Sequence, residues 1–181
     1  MKKIILLTLL AASLMASQNN DYVTLSGGQS NIKTYSTSTG AVTAKGKTDG
    51  EEVTLTLGHK YDDYARFSAS FQLLNKSDTV KSAGSFTMAY DLLFPISTSG
   101  ISLFVGPLIG YTLFETNSNR LNGLHYGVEA GALFEFADNW AIELGYKYFK
   151  ETGSQEGTLA KVEFDNMQTF YLGASYYFSY E

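Results

Sequence analysis

The 181-residue sequence has no cysteine. That removes a disulfide framework, a thiolate metal site and a thiol nucleophile at once. Cations are also scarce, with 13 Lys and Arg against 18 Asp and Glu and a formal net charge of −5. A nucleic-acid binder would normally carry a basic stripe, so that class is excluded. Only two histidines are present, His59 and His125, and no metal-ligand spacing or phosphate-cradling loop stands out. Long apolar runs are missing too. The run at 4–10 is too short for a membrane-spanning helix, which needs about 20 residues.

That run has a different meaning. The start, "MKKIILLTLLAASLMASQ", has two lysines, then the apolar run, then small residues near Ala16 and Ser17, the layout of a secretory signal peptide. The expected domains are therefore a leader at 1–17, cleaved near Ala16 or Ser17, and a mature domain at 18–181. Losing Lys2 and Lys3 leaves 11 basic residues against 18 acidic ones, a formal −7. The mature chain is expected to be exported and acidic.

Beyond the leader, the sequence alternates with period two, as extended segments do when successive side chains point to opposite faces. The last segment, "TFYLGASYYFSYE", sets Phe170, Leu172, Ala174, Tyr176 and Phe178 against Thr169, Tyr171, Gly173, Ser175 and Tyr177. Seven earlier segments repeat the pattern, each with one greasy face and one face that is mostly Gly, Ser, Thr and Ala. Eight strands of about 9–11 residues are expected, the length a tilted spanning strand needs. Connections after the second, fourth and sixth segments are short ("DDY", "PISTSG", "ADN"), whereas 36–50 and 150–166 read as long hydrophilic loops. Short turns on one rim and long loops on the other are typical of an up-and-down outer-membrane barrel.

A soluble exported barrel of the lipocalin kind is the structural rival, because it too has eight strands. It would have to coat its second face with solvated charge. Here that face is small and polar, suited to the narrow lumen of an eight-strand barrel. Aromatics on the greasy face add to this, with Tyr61, Phe94, Phe136, Trp140, Tyr176 and Phe178 near the short-turn rim. Tyr111, Tyr126, Tyr146 and Tyr148 lie near the other, as in two interfacial girdles. The fold class read from these features is all-β, an eight-stranded antiparallel up-and-down transmembrane β-barrel.

The leader, eight alternating strands, loop asymmetry and terminal strand resemble the small outer-membrane barrels of Gram-negative bacteria, of the OmpX and OmpA-transmembrane-domain type, over essentially the whole mature chain. The resemblance implies an outer-membrane location among lipid and lipopolysaccharide, without nucleic acid or cofactor. It also implies a monomer, and assembly by the barrel-insertion machinery through a terminal signal carried here by Tyr171, Gly173, Tyr176 and Phe178. In that family the phenylalanine is usually the last residue, whereas Ser179, Tyr180 and Glu181 follow it here. Relatives of this kind are associated with adhesion, complement evasion or envelope integrity, so an extracellular ligand at 36–50 or 150–166 is a further expectation.

Ionisable residues on the small face must be paired in a narrow lumen. Folding about "ADN" sets Glu129 opposite Lys147, predicting one interior ion pair. Arg66 and Asp91 predict a second, and Glu52, Lys60, Glu135 and Glu143 are available to extend both. A pore lining is the functional alternative, so a narrow ion-conducting channel stands as a rival reading. A lipid A-modifying enzyme is another, with His59 and His125 as its only candidate bases. His59 falls on the lipid side near the periplasmic rim and His125 inside the outer end. "LHYG" lacks the serine two positions after the histidine that lipid A deacylase barrels have. A non-enzymatic envelope or surface protein is the expected function.

Overall fold

The structure is a computed structural model that describes residues 20–38, 41–74, 80–96, 100–116, 120–152, 154–156 and 161–178. The expected leader at 1–17 and the three residues after Phe178 lie outside the described residues. Nine strands follow in order: β1 (Asp21–Ser38), β2 (Ala41–Lys60), β3 (Ala65–Leu74), β4 (Val80–Pro95), β5 (Ile101–Thr116), β6 (Arg120–Ala137), β7 (Trp140–Glu151), β8 (Ser154–Glu156) and β9 (Lys161–Phe178). Each pairs antiparallel with its neighbours, and β1 closes the sheet by pairing with β9. The three-residue β8 pairs with β9 alone, at the outer end. The wall is therefore a closed eight-strand barrel.

Closure fixes a stagger. Direct partners of Leu57 run through Ala69, Met88, Ile109, Tyr126, Lys150, Asn166 and Lys33 back to β2 at Lys47, ten residues from the start. Such a shear tilts the strands steeply against the barrel axis. Any row of cross-strand partners consequently climbs from the periplasmic side to the outside as it goes round.

The greasy faces point outward. Leu144 and Leu172 are each 58% exposed and Phe170 65%, while their chain neighbours Glu143 and Tyr171 are only 5% exposed. A soluble barrel would bury the apolar set, and a continuous apolar surface of this extent requires a lipid environment. Exclusion of the lipocalin-like rival thus rests on which face carries the leucines.

Two expectations about the strands need correction. Most of 36–50 and 150–166 is strand rather than loop: β1 runs to Ser38, β2 begins at Ala41, β7 runs to Glu151 and β9 begins at Lys161. The wall strands also run from 10 to 20 residues rather than 9–11. Backbone pairing continues past the bilayer because an antiparallel ladder needs only a partner strand, not an apolar face. The sequence of the extension is hydrophilic and resembles that of a loop. β2 pairs with β1 as far as Ala41, whereas its pairing with β3 begins only at Glu52. A sheet of β2, β1, β9 and β8 therefore stands above the rest of the wall.

Glycine makes room for the interior rings. Tyr22, Phe104, His125, Phe149 and Tyr171 each face a glycine as direct cross-strand partner: Gly58, Gly131, Gly110, Gly127 and Gly145. A Cβ added at Gly58 would lie 2.1 Å from Tyr22 Cζ, and at Gly145 2.2 Å from Tyr171 Cζ. A ring laid over an opposing glycine fills the lumen without overfilling it.

Candidate functional site

The lumen is where the unusual chemistry sits, and it is arranged in layers. At the periplasmic mouth Lys60 Nζ donates to Glu135 Oε1 at 2.8 Å and lies 3.5 Å from Asp63 Oδ1. β2 and β6 stand four strands apart in either direction round the barrel, so this pair straps the opening. Outside it lies a vestibule of about 450 Å³ bordered by Asn20, Glu135, Asp138 and Tyr177.

Above the strap, Arg66 is 3% exposed. Its Nε donates to Asp91 Oδ2 at 2.8 Å, and its Nη1 donates to Glu143 Oε2 on the far wall. Tyr171 OH donates to the other Glu143 oxygen at 2.8 Å. The guanidinium lies over the Phe104 ring, 4.4 Å from its centroid, and Leu93, Phe104 and Tyr171 pack as one apolar cluster. Planar delocalised charge suits both contacts, the paired carboxylates and the ring face.

Next, Glu129 and Lys147 are direct partners on β6 and β7, with Nζ 3.7 Å from Oε2. Lys147 also sits 4.7 Å from the centroid of the Tyr171 ring. Gly106 is the partner of Glu129 on β5, and a Cβ there would meet Asp91 Oδ1 at 2.4 Å. A side chain at that position would displace the carboxylate that Arg66 holds. The β4–β5 ladder is interrupted beside this site without a change of register, passing from Ala89↔Leu108 to Leu92↔Val105. Pro107, which has no N–H to give, lies in the gap.

Glu52 forms a separate layer. Its Oε2 accepts hydrogen bonds from Ser30 Oγ, Gln72 Nε2 and Thr169 Oγ1, and Ser85 Oγ donates to Gln72 Oε1 at 3.0 Å. Five strands thus contribute to one hydrogen-bonded belt. Sequence reading named Glu52 but missed Ser30, Gln72, Ser85 and Thr169. Inward parity marks all four as lumen-facing, but only the stagger brings them to one height.

Toward the outer end the filling turns apolar, with Ile32, Leu74, Ala89, Leu108, Phe149 and Met167 packed together. The lumen is elsewhere lined largely by small polar groups, as expected, and this cluster is the exception. His125 is fully buried beside the cluster, 4.6 Å from the Phe149 ring. Thr87 Oγ1 lies 2.9 Å from its Nε2 and Thr112 Oγ1 2.9 Å from its Nδ1. Both ring nitrogens are taken by hydroxyls, and no face of the imidazole meets solvent. Between the layers there is a void of about 10 Å³ lined by Arg66, Glu129, Glu143 and Lys147 among others, at the lower limit for holding one water.

The remaining residues singled out from the sequence lie on the outside. Tyr61, Phe94, Phe136 and Trp140 are exposed near the periplasmic rim, and Tyr111 and Tyr126 near the outer one, with Tyr146 and Tyr148 half-buried. His59 stands at the periplasmic rim with its Nδ1 2.7 Å from Asp21 Oδ1. In β9, Tyr171 and Gly173 face inward, while Tyr176 and Phe178 face outward with their rings 5.3 Å apart. Phe178 is the partner of Asp21, at the seam that closes the barrel. Among the described residues no cluster of His, Asp and Glu is arranged to hold a metal.

A closed eight-strand wall with lipid-facing leucines and a filled polar interior defines a transmembrane β-barrel of the bacterial outer membrane. The chain matches the family described as outer membrane protein beta-barrel domain over residues 4–178, and it belongs to that family. Its fold is similar to that of Neisserial surface protein A, at 13% identity and a TM-score of 0.61, covering 87% of this chain and 97% of that one. It is also similar to the N-terminal β-barrel domain of Pseudomonas aeruginosa OprF, at 12% identity and a TM-score of 0.58, covering 89% and 100%. Outer membrane protein H of P. aeruginosa gives 23% identity and a TM-score of 0.56, covering 88% and 99%. At these identities the likeness is one of fold. Comparison with curated protein sequences finds no match.

Proposed function

We propose that this protein is a non-enzymatic, non-conducting outer-membrane barrel, monomeric in the bilayer, whose work is done on its surface. The filled lumen is the observation that carries this reading. Three ion-pair layers, a carboxylate belt and an apolar cluster occupy the interior, leaving a void of about 10 Å³ among the charged groups. A hydrated ion would have to displace paired charges and then cross an apolar layer, and both steps are costly. Burial of His125 argues in the same direction against catalysis, because a general base must reach the substrate proton within hydrogen-bond distance.

What remains available is the outside. The raised sheet of β2, β1, β9 and β8 sits on a rigid barrel, an arrangement proteins use to present binding surfaces. We assign it the surface role, whether in adhesion or in envelope integrity. The same reading takes 1–17 as a removed leader, and Tyr171, Gly173, Tyr176 and Phe178 as the signal that the insertion machinery reads.

Planar-bilayer recording of the refolded protein tests the central claim. No discrete conductance steps are expected, and reproducible single-channel steps would establish the channel instead. Lipid A from cells expressing the protein should keep its mass. A loss or gain of an acyl chain would establish the enzyme.

A further inference from the structure

Two carboxyl groups meet over a glycine inside the lumen. Asp91 is the direct partner of Arg66 on β3, and the register on either side of the gap in the β4–β5 ladder sets it opposite Gly106. Gly106 is in turn the partner of Glu129, and Glu129 that of Lys147. The row therefore reads Arg66, Asp91, Gly106, Glu129, Lys147, with a cation at each end and two acids between. Gly106 has no side chain to separate them. Asp91 Oδ1 lies 2.4 Å from where a Cβ of Gly106 would stand, and the Asp91 and Glu129 carboxyl groups come within hydrogen-bonding reach of each other.

Both acids are withdrawn from water, Asp91 at 1% exposure and Glu129 at 4%. Arg66 Nε donates to Asp91 Oδ2, but no group donates to Asp91 Oδ1. Glu129 has Lys147 on its other side at 3.7 Å, longer than a hydrogen bond. Ionised carboxylates are acceptors only. Were both acids ionised, their contact would set lone pair against lone pair in a site where uncompensated charge is costly.

The charge count leads to the same place. Arg66 from β3, Glu143 and Lys147 from β7, Tyr22 from β1 and Tyr171 from β9 surround the pair, while Glu52 on β2 is held in its own belt. Arg66 and Lys147 are the cations, against the carboxyl groups of Asp91, Glu129 and Glu143. Both Glu143 oxygens accept, one from Arg66 Nη1 and the other from Tyr171 OH, so Glu143 is committed as a carboxylate. The surplus negative charge falls on Asp91 and Glu129. One proton would balance it and turn the clash into a hydrogen bond.

We propose that Asp91 and Glu129 form a proton-binding site, a carboxyl pair that holds one proton between them in the folded barrel. One acid donates its O–H to a carboxylate oxygen of the other, because like charges at contact distance cannot both persist. Asp91 Oδ1 gains the partner it lacks, and the network from Arg66 to Lys147 becomes neutral. The bridge also joins β4 to β6 across β5, beside the point where Pro107 leaves the backbone ladder open. It is independent of the proposed surface role.

Infrared spectroscopy reads this proton directly, because a protonated carboxyl C=O absorbs apart from carboxylates and from the amide band. The full protein is refolded in a detergent without ester carbonyls and measured at neutral pH beside Asp91→Asn and Glu129→Gln. Each variant puts in place of one acid an amide of similar shape that can donate to the remaining carboxylate, so each should keep the heat-dependent gel mobility of a closed barrel. The wild type should show a protonated-carboxyl band, and each variant should lose about one carboxyl group's share of it. Labelling the aspartate carboxyls of the wild type with heavy carbon needs no variant. It should shift part of the band, since Asp91 is the one aspartate buried inside the lumen among the described residues. Absence of the band from the wild type, a band that both substitutions leave untouched, or a band that the aspartate label leaves in place would overturn the proposal.

Discussion

Arg66 on β3 and Glu143 on β7 meet across the full width of the lumen, from strands that stand four apart whichever way the wall is followed. The pair joins opposite walls that share no ladder hydrogen bond. Replacing Arg66 by Ala leaves Asp91 and Glu143 buried without their cation, which should cost about 3–5 kcal/mol. Arg66→Met keeps apolar bulk over Phe104, so Arg66→Met together with Asp91→Asn and Glu143→Gln should recover most of that loss. Urea midpoints in lipid vesicles, followed by heat-dependent gel mobility, check both. Equal stability of Arg66→Ala and wild type would mean that the ion pair is not holding the walls together.

Glu129 and Lys147 are neighbours in the ladder rather than across the lumen, and their coupling is expected to be strong because both are buried. Either alanine variant alone should destabilise by about 3 kcal/mol. The double variant should cost clearly less than the sum, since neither charge is then left alone. Additive losses in the thermodynamic cycle would show that the two act independently.

Gly145 faces the Tyr171 ring, and no space exists for a methyl group between them. Gly145→Ala should therefore destabilise by about 1–3 kcal/mol through overpacking. Shortening the opposing ring, as Tyr171→Leu, should relieve part of that strain while losing the hydrogen bond to Glu143. The expected signature is a double variant that loses less than the two single variants add up to, measured by denaturant unfolding.

Leu144 projects from the outer wall near the middle of β7, 58% exposed. Leu144→Arg should cost roughly 2–4 kcal/mol, the penalty of arginine at the bilayer midplane on a lipid-facing position. The barrel should still form and remain in the membrane. Secretion of a water-soluble, normally folded variant would contradict the lipid-facing assignment.

Period-two alternation was enough to read the eight wall strands, the face that meets lipid and the parity of the lumen residues within the alternating segments, because parity is a local property of an extended chain. Pairing across a tight turn is nearly local as well, which is why Glu129 and Lys147 could be set opposite each other from "ADN" alone. The extents of β1, β2 and β9 were not legible. A two-faced hydrophilic strand in water and a loop have similar composition, and only continuous backbone pairing separates them.

The sequence by itself determined an exported chain of eight alternating strands, greasy outward, with a mostly small and polar inner face that carries a few charges. Only the tertiary structure decided which of those charges meet, because that depends on a ten-residue stagger summed over eight pairings. From that stagger come Arg66 reaching Glu143, Lys60 reaching Glu135 and the five-strand belt around Glu52. The apolar filling near the outer mouth has the same origin. Ile32, Leu74, Ala89, Leu108, Phe149 and Met167 are each isolated in the sequence and become a cluster only when six tilted strands bring them to one level.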